Sequence, residues 1–315
     1  LRRRQKGIVV RTSRNWNDYE LLDASGGERL ERWGKYTLIR PDPQVMWAES
    51  LCTQKWRDAS ARYIRSDKGG GHWQYNADVH EFWNIKYKDL TFKVKPTGFK
   101  HTGVFPEQAV NWDFCDGIIR EAVSTGRTVK VLNLFAYTGG ATMACLNAGA
   151  DVCHLDAVKS MVEWAKENAK LSGLLQGRGE GNTAVGGQAG GGSPRWIVDD
   201  AAKFLSREIK RGNRYDAVIL DPPSYGRGTG GEMWKLEDCI NSLLLMCGEV
   251  LSENPLFLLM NSYTTGLSPS AVEYLMQMTV GRKYKIKVEA DEIGLPVKST
   301  GLSLPCGNTA IAFFN

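Results

Sequence analysis

The sequence predicts an α/β protein: a doubly wound, mostly parallel sheet preceded by a small β-rich domain. Three observations carry this. From residue 96 onward, apolar runs of strand length alternate with runs of helix length, as a parallel sheet with crossover helices requires. The apolar run 129–135 stops at Ala136-Tyr137-Thr138-Gly139-Gly140, and the run Ala217-Val218-Ile219-Leu220 stops at Asp221-Pro222-Pro223-Ser224-Tyr225. Two prolines in a row end a ladder and leave a stiff turn with bare carbonyls, at the strand ends where open α/β sheets bind ligands.

Residues 1–95 have a different texture. Tyr36-Thr37-Leu38-Ile39-Arg40, Phe82-Trp83-Asn84-Ile85-Lys86-Tyr87 and Leu90-Thr91-Phe92-Lys93-Val94 are short alternating runs separated by Gly and Pro turns, which reads as a small β domain. Six of the ten tryptophans (Trp16, Trp33, Trp47, Trp56, Trp73, Trp83) sit here among Arg and Lys. Such a pattern serves either as a stacking and phosphate-binding surface for RNA or as an aromatic core with a solvated rim. Arg2, Arg3, Arg4, Lys6, Arg11 and Arg14 precede the first acidic residue, Asp18, the pattern of a nucleic-acid arm or of a solvated basic tail.

The second domain, 96–315, begins with a predicted helix over 105–123. Four strand–helix units follow: 129–135 with 140–148, 152–155 with 159–171, 196–198 with 201–211, and 217–220 with 232–251. Strand 256–260, helix 269–278 and a closing pair around 285–289 and 302–313 complete it. Residues 177–193, with Gly-Arg-Gly-Glu-Gly and Gly-Gly-Gly, cannot bury apolar area and read as a flexible spacer without chemistry.

At 315 residues the chain can bury a core without disulfides. A formal net charge of +5 permits a polyanionic partner without demanding one. Seven cysteines, with no C-x-x-C pair and no ligand-spaced histidines, fit a reduced, cytoplasmic compartment and predict no metal site. No apolar run approaches 18 residues, and Leu1-Arg2-Arg3-Arg4-Gln5-Lys6 lacks the hydrophobic segment of a secretory signal. A monomer or homodimer without membrane contact is expected.

Asn133-Leu134-Phe135-Ala136-Tyr137-Thr138-Gly139-Gly140, then Asp156, Asp199-Asp200 and Asp221-Pro222-Pro223-Ser224-Tyr225-Gly226-Arg227-Gly228 resemble the class I S-adenosylmethionine-dependent methyltransferases. Within them the chain is most similar to the branch that methylates bases of large-subunit ribosomal RNA. The resemblance covers residues 90–305, with Thr97-Gly98-Phe99-Lys100-His101-Thr102-Gly103 and Phe105-Pro106-Glu107-Gln108 as its leading motif. It implies a seven-stranded Rossmann-like sheet, S-adenosylmethionine as cofactor and RNA, ribosomal in the first place, as partner. The chain departs from the family in its final strand, 308–315, and in carrying the tryptophan-rich segment where an RNA-binding accessory domain usually stands.

Site residues follow from the fold and the resemblance together. Gly139 and Gly140 let a backbone approach a ligand closely or simply make a tight turn, and the next helix begins with free amides that favour a carboxylate. The matched motif implies that Asn133, Phe135, Ala136, Tyr137 and Thr138 belong to the same cofactor site. Asp156 closes the second strand, where a carboxylate accepts from ribose hydroxyls, with Ala157 beside it. Asp200 is expected to accept from the adenine amine, with Val198 and Ala201 as apolar neighbours, while for Asp199 the plain alternative is a helix N-cap. The resemblance alone assigns Thr102 and Gln108 to the methionine end. Lys100 and His101 are candidates for the same pocket, His101 with a surface histidine as the alternative.

Methyl transfer from a sulfonium is an in-line displacement that depends on positioning. The Asp221 side chain and Pro222 carbonyl are expected to accept from the edge of an acceptor base held by the Pro222-Pro223 turn, with Tyr225 stacked on its face. Asp221 also closes the cofactor side. Cytosine-5 chemistry needs a cysteine thiolate, which family members carry after the fifth strand. Here Met260-Asn261-Ser262-Tyr263-Thr264-Thr265-Gly266 contains none, so a nitrogen acceptor is favoured. Cys306 reads as a structural thiol or, folded back, a nucleophile; Cys239 and Cys247 read as core. Arg211, Arg227 and Lys235 are expected to flank the acceptor strand end, as phosphate contacts or as solvated charges. Two other classes remain: an NAD-dependent oxidoreductase on a Rossmann-like fold, weakened by the missing G-x-G-x-x-G, and a non-catalytic RNA-binding protein.

Overall fold

The computed structural model describes residues 10–66, 70–175, 192–227, 233–264 and 266–314. It divides into two compact units, Asn111–Glu292 with Gly307–Asn315, and Val10–Val110 with Ile293–Cys306.

The larger unit is the predicted doubly wound sheet. Its strands are β1 Lys130–Leu134, β2 Asp151–Asp156, β3 Pro194–Val198, β4 Ala217–Leu220, β5 Phe257–Ser262, β6 Ile286–Pro296 and β7 Ser303–Phe314; the outer halves of β6 and β7 belong to the other unit. The helices are α1 Ala109–Ser124, α2 Gly140–Asn147, α3 Lys159–Leu171, α4 Ala201–Arg211, α5 Leu236–Val250 and α6 Pro269–Thr279. Strand order is β3-β2-β1-β4-β5-β7-β6. β1 to β5 run parallel, and β7 returns antiparallel beside β5, pairing Phe257 with Phe313 and Ser262 with Asn308. The order therefore reverses between β1 and β4, which sets the loops after those two strands side by side.

Alternation within the strands explains the two helical layers. Leu132, Leu134, Val218, Leu220, Leu258 and Met260 join Phe204, Leu243 and Val272 on one face. Val131, Ala217, Ile219, Phe257 and Leu259 join Ile119, Cys145 and Leu146 on the other. A sheet buried on both sides needs apolar residues at successive positions, which is why β4 reads Ala-Val-Ile-Leu with all four buried. Each fully buried aliphatic side chain contributes roughly 1.5–3 kcal/mol.

Element boundaries differ where local chemistry intervenes. The helix expected over 105–123 is split into a 3-10 turn, Pro106–Gln108, and α1, because Pro106 follows an extended Phe105 and opens a tighter turn. The helix expected from 232 starts at Leu236, since Met233–Lys235 pairs with Tyr225–Arg227 as a hairpin. The first closing strand is longer than the expected 285–289, at 11 residues, whereas the second keeps the expected length of 12 residues and lies one position further along. All but the last two residues of the Gly-rich stretch 177–193 lie outside the described residues.

The smaller unit holds a five-stranded sheet, Tyr19–Ser25, Glu28–Trp33, Tyr36–Pro41, Ala61–Arg65 and Gly71–Tyr75 in that order, and a hairpin of Trp83–Tyr87 with Leu90–Val94. Val10–Thr12 lies beside β6 as an eighth strand at the edge of the sheet for which seven were expected, an addition that the family pattern of the larger domain does not contain. Residues 96–110 join this unit although the sequence division falls at 95, because its side chains hold their carbonyls. Trp73 Nε1 donates to Thr97 O, Tyr63 Oη to Gly98 O, Arg40 Nη1 to Lys100 O and Trp16 Nε1 to Pro106 O. Trp33 and Trp83 are core, whereas the indoles of Trp16, Trp47, Trp56 and Trp73 each donate to a carbonyl or carboxylate.

At the centre of this unit lies a buried charge cluster. Arg40 donates to both oxygens of Glu31 at 2.6 and 2.8 Å, Tyr19 Oη adds a third bond at 2.7 Å, and Arg29 sits between Glu31 and Asp42. Burial works against the Glu31 carboxylate, but Arg40 and Arg29 prevail and hold its pKa at about 2.

Candidate cofactor and acceptor site

The loop after β1 is strained. Phe135 (φ 55°) and Tyr137 (φ 51°) occupy the left-handed region without being glycine, and Gly139 follows at φ 86°. Each such non-glycine conformation costs on the order of 1–3 kcal/mol and persists only where neighbours over-determine it. Here the neighbours are explicit. Ala136 N donates to Leu155 O at 3.0 Å, Tyr137 N to Asp156 Oδ2 at 2.9 Å and Gly139 N to Ala136 O at 2.9 Å. Asn168 on α3 donates to the Thr138 carbonyl at 3.0 Å. Below the loop, Asn133 Nδ2 donates to Thr142 Oγ1, which also bonds His154 Nδ1, both at 2.9 Å. Asn133 is thus a buried brace for the loop and for the start of α2.

The two glycines have a packing reason that the sequence does not reveal. A Cβ on Gly140 would stand 2.5 Å from Trp112 Cζ2 on α1, and one on Gly139 would stand 3.0 Å from Ala165 Cβ on α3. Trp112 was not singled out from the sequence. Only its contact in space gives it a role.

Asp156 ends β2 half-buried. Its Oδ2 accepts from Tyr137 N and its Oδ1 from Val158 N at 2.8 Å, yet burial outweighs both bonds and raises its pKa. Among the described residues no cation pairs with it. Each oxygen keeps a second lone pair, so the carboxylate suits two hydroxyl donors. Val158, just after β2, and Val198, at the end of β3, are exposed apolar residues, and Ala157 is exposed as well. Exposed apolar residues at the strand ends that carry a half-buried acceptor carboxylate suit a nucleoside; Val158 was not among the residues picked from sequence.

Asp200, rather than Asp199, caps α4: its Oδ1 accepts from Lys203 N at 2.9 Å, leaving Oδ2. Asp199 instead accepts from the Asp200 amide at 2.8 Å and pairs with Arg207. The Asp199 amide donates to Asp156 O at 3.1 Å, tying the ends of β2 and β3 together.

The loop after β4 is equally fixed. Pro222 is buried, Pro223 is exposed, and Tyr225 stands 59% exposed. Trp234 Nε1 donates to Pro223 O at 2.6 Å, Leu236 N to Ser224 O at 3.1 Å, and the Ser224 and Thr264 hydroxyls bond at 2.6 Å. The Trp234 ring lies 5.5 Å from that of Phe135, so one indole braces both loops. Lys235 is exposed in the hairpin opposite Tyr225. The side chain of Arg227 lies outside the described residues.

Arg211 is not at the acceptor edge. It ends α4, which leads back to the start of β4, and its Nη1 pairs with Glu208, whose other oxygen accepts from Tyr215 just before that strand. A crossover helix returns its last residue to the opposite end of the sheet from the strand before it. Cys247 is buried in the core as expected, whereas Cys239 is half-buried.

Thr102, Gln108, Lys100 and His101 belong to the smaller unit. Thr102 is fully buried, and among the described residues its hydroxyl oxygen has no hydrogen-bond partner; Gln108 is buried. Burial lowers the His101 pKa to about 4 and that of Lys100 to about 8. Cys306 is in this unit too, where burial, with Glu107 next, pushes its thiol well above the ordinary range.

Comparison with known proteins gives a consistent set of likenesses. The family profile described as S-adenosylmethionine-dependent methyltransferase matches residues 38–252. The structure is similar to the crystal structure of the SAM-dependent methyltransferase from Agrobacterium tumefaciens, with 34% identity and a TM-score of 0.85, over 97% of this chain and 93% of that one. The ribosomal RNA large subunit methyltransferase K/L of Shewanella sp. (strain MR-4) is 29% identical over 217 residues, 65% of this chain and 25% of the relative. The ribosomal RNA large subunit methyltransferase I of Aeromonas salmonicida is 33% identical over 108 residues, 34% and 24% of the two chains. The chain spans only 31%, 19% and 24% of the length of three such curated relatives.

Proposed function

The chain belongs to the S-adenosylmethionine-dependent methyltransferases, and from that premise we propose that it methylates a base of structured RNA, ribosomal RNA in the first place, at a nitrogen rather than at carbon 5 of cytosine. S-adenosylmethionine supplies an electrophilic methyl group on a sulfonium. Asp156 accepts the ribose hydroxyls with the lone pairs that the Tyr137 and Val158 amides leave, and Val158, Val198 and Ala157 take the adenine. The free oxygen of Asp200 receives the adenine amine. The loop 135–140 meets the rest of the donor, with Thr102 and Gln108 assigned to its methionine end.

On the acceptor side, Asp221 and the Pro222 carbonyl accept from the base edge and Tyr225 stacks on the base. Aiming the lone pair is the whole task for a nitrogen nucleophile. The nitrogen preference is supported by the absence of cysteine from 260–266. RNA is supported by the likeness to the ribosomal RNA large subunit methyltransferases of Shewanella and Aeromonas. A cytoplasmic location is supported by seven cysteines that are all free, and no described helix is long and apolar enough to cross a membrane.

The observation that carries the reading is the strained turn at Phe135 and Tyr137, anchored on Asp156 and facing the Asp-Pro-Pro turn across the switch in strand order. Incubation with methyl-labelled S-adenosylmethionine and ribosomal RNA from cells lacking the protein tests it. Label in a single RNA base nitrogen is expected. Cofactor binding with no label in RNA would leave a non-catalytic RNA-binding protein or another acceptor.

A further inference from the structure

Within the smaller unit, and distinct from the loops described above, lies a cavity of about 330 Å³. Trp16, Tyr19, Pro296 and Val297 give it aromatic and apolar wall, while Arg14, Arg32 and Lys298 stand against a single carboxylate, Glu20. Three cations and one anion leave a net charge of +2 around an apolar hollow. We infer that this cavity holds one nucleotide of a single-stranded segment of the RNA substrate, the base against Trp16 and its neighbours and the phosphates on Arg14 and Lys298. The inference rests on the RNA reading above and adds a second contact point to it.

Three features support a built pocket. First, its wall is pinned. Val297 bridges Leu21, Lys298 N donates to Leu21 O at 2.9 Å, Ser299 N to Leu22 O at 3.1 Å, and Ser299 Oγ to Asp23 Oδ1 at 2.6 Å. Gly301 closes the turn at φ 70°, donating to Val297 O at 2.9 Å. A preordered wall loses little entropy on binding.

Second, Trp16 is held for presentation. Its Nε1 is fixed on Pro106 O at 3.0 Å and its ring is wedged 4.8 Å from Tyr87 and 5.8 Å from Tyr19, yet the residue remains half-buried rather than enclosed. Stacking on an aromatic face is the sequence-tolerant way to hold an unpaired base. Third, the charges differ in their availability. Glu20 occupies Lys298 at 2.7 Å and Arg32 at 3.7 Å, while Arg14 is exposed and has no acidic partner among the described residues. An incoming phosphate meets Arg14 first, and the Glu20 carboxylate is left to accept from the base or ribose.

The test uses the full chain and a fluorescent 12-nucleotide single-stranded RNA of mixed sequence, with Arg14→Glu and Lys298→Gln measured separately and together. Arg14 is exposed and makes no described bond, so its replacement leaves the fold intact, and the thermal midpoint of each variant checks this. The double variant is expected to bind the RNA at least tenfold more weakly and to flatten the slope of log affinity against log salt by about 1–2, with affinity for S-adenosylhomocysteine unchanged. Polyphosphate of equal charge is expected to bind the parent at least tenfold more weakly than the RNA; equal binding would overturn the base-holding part. Parent binding with both variants within twofold of it would overturn the pocket alone, and a parent that binds no RNA would overturn the pocket and the RNA reading together.

Discussion

The Tyr137 amide donates to the Asp156 carboxylate at 2.9 Å, so the residue expected to read a ribose also holds the strained turn in place. One side chain thereby couples the shape of the loop to its ligand. Replacing Asp156 by Ala removes a ligand acceptor and the anchor of a positive-φ residue. Charge-assisted hydrogen bonds are worth roughly 1.5–3 kcal/mol each, so affinity for S-adenosylhomocysteine in calorimetry is expected to fall at least tenfold. Unchanged affinity would remove the ribose from this position.

The pH dependence of that binding has a definite sign. Burial raises the Asp156 pKa above its ordinary value, so in the free protein its ionised form is a net cost at neutral pH that fades as pH falls through the raised value and is gone below the unfolded one. Hydroxyl donors reward the ionised form. Affinity is therefore expected to be flat at neutral pH, to drop as pH falls through the Asp156 pKa, and to lose this step in Asp156→Ala.

Gly140→Ala tests the packing beneath the loop. Its methyl group would stand 2.5 Å from Trp112, and overpacking of this kind costs typically about 1–3 kcal/mol. A lowered thermal midpoint with weakened cofactor affinity is expected. A variant as stable as the parent would show that α1 yields easily there.

Tyr225→Ala separates acceptor binding from folding. At 59% exposure the side chain contributes little to stability, and surface substitutions usually stay within about ±0.5 kcal/mol. Loss of base stacking, roughly 1–3 kcal/mol, is expected to lower kcat/KM for RNA about five- to 150-fold at constant cofactor affinity. Equal kcat/KM would exclude stacking by Tyr225.

Acid stability reports on the smaller unit. Arg40 and Arg29 lower the Glu31 pKa from 4.5 to about 2, so its contribution is present above the unfolded value and is lost as pH falls from there toward about 2. The shift corresponds to roughly 3 kcal/mol. Glu31→Gln leaves Arg40 buried without its counter-charge and is expected to cost about 3–5 kcal/mol in denaturant titrations at pH 7. It should also flatten stability over that acid window.

The sheet was legible because periodicity and strand length carry it: the ranges of α3, α4 and β4 are the same in sequence and structure. The loops were legible as places, since Gly139-Gly140 and Pro222-Pro223 punctuate strand ends. What escaped was pairwise and spatial. The roles of Trp112 and Trp234 come from contacts with Gly140, Pro223 and Phe135, which lie well away from them in sequence, and which of Asp199 and Asp200 caps α4 depends on one hydrogen bond. Arg211 was misplaced because counting residues near β4 ignores the direction in which α4 returns. The charge cluster around Glu31 joins side chains of three strands, Tyr19–Ser25, Glu28–Trp33 and Tyr36–Pro41, of which only the last was read from the sequence.

A crystal structure of the full chain with S-adenosylhomocysteine tests the central claim most directly. The account predicts the ribose hydroxyls on the two Asp156 oxygens, the adenine against Val158 and Val198, and the sulfur directed at the Asp221–Pro223 turn. A ligand bound elsewhere, or a crevice at the ends of β1 and β2 that stays closed at saturating ligand, would contradict it.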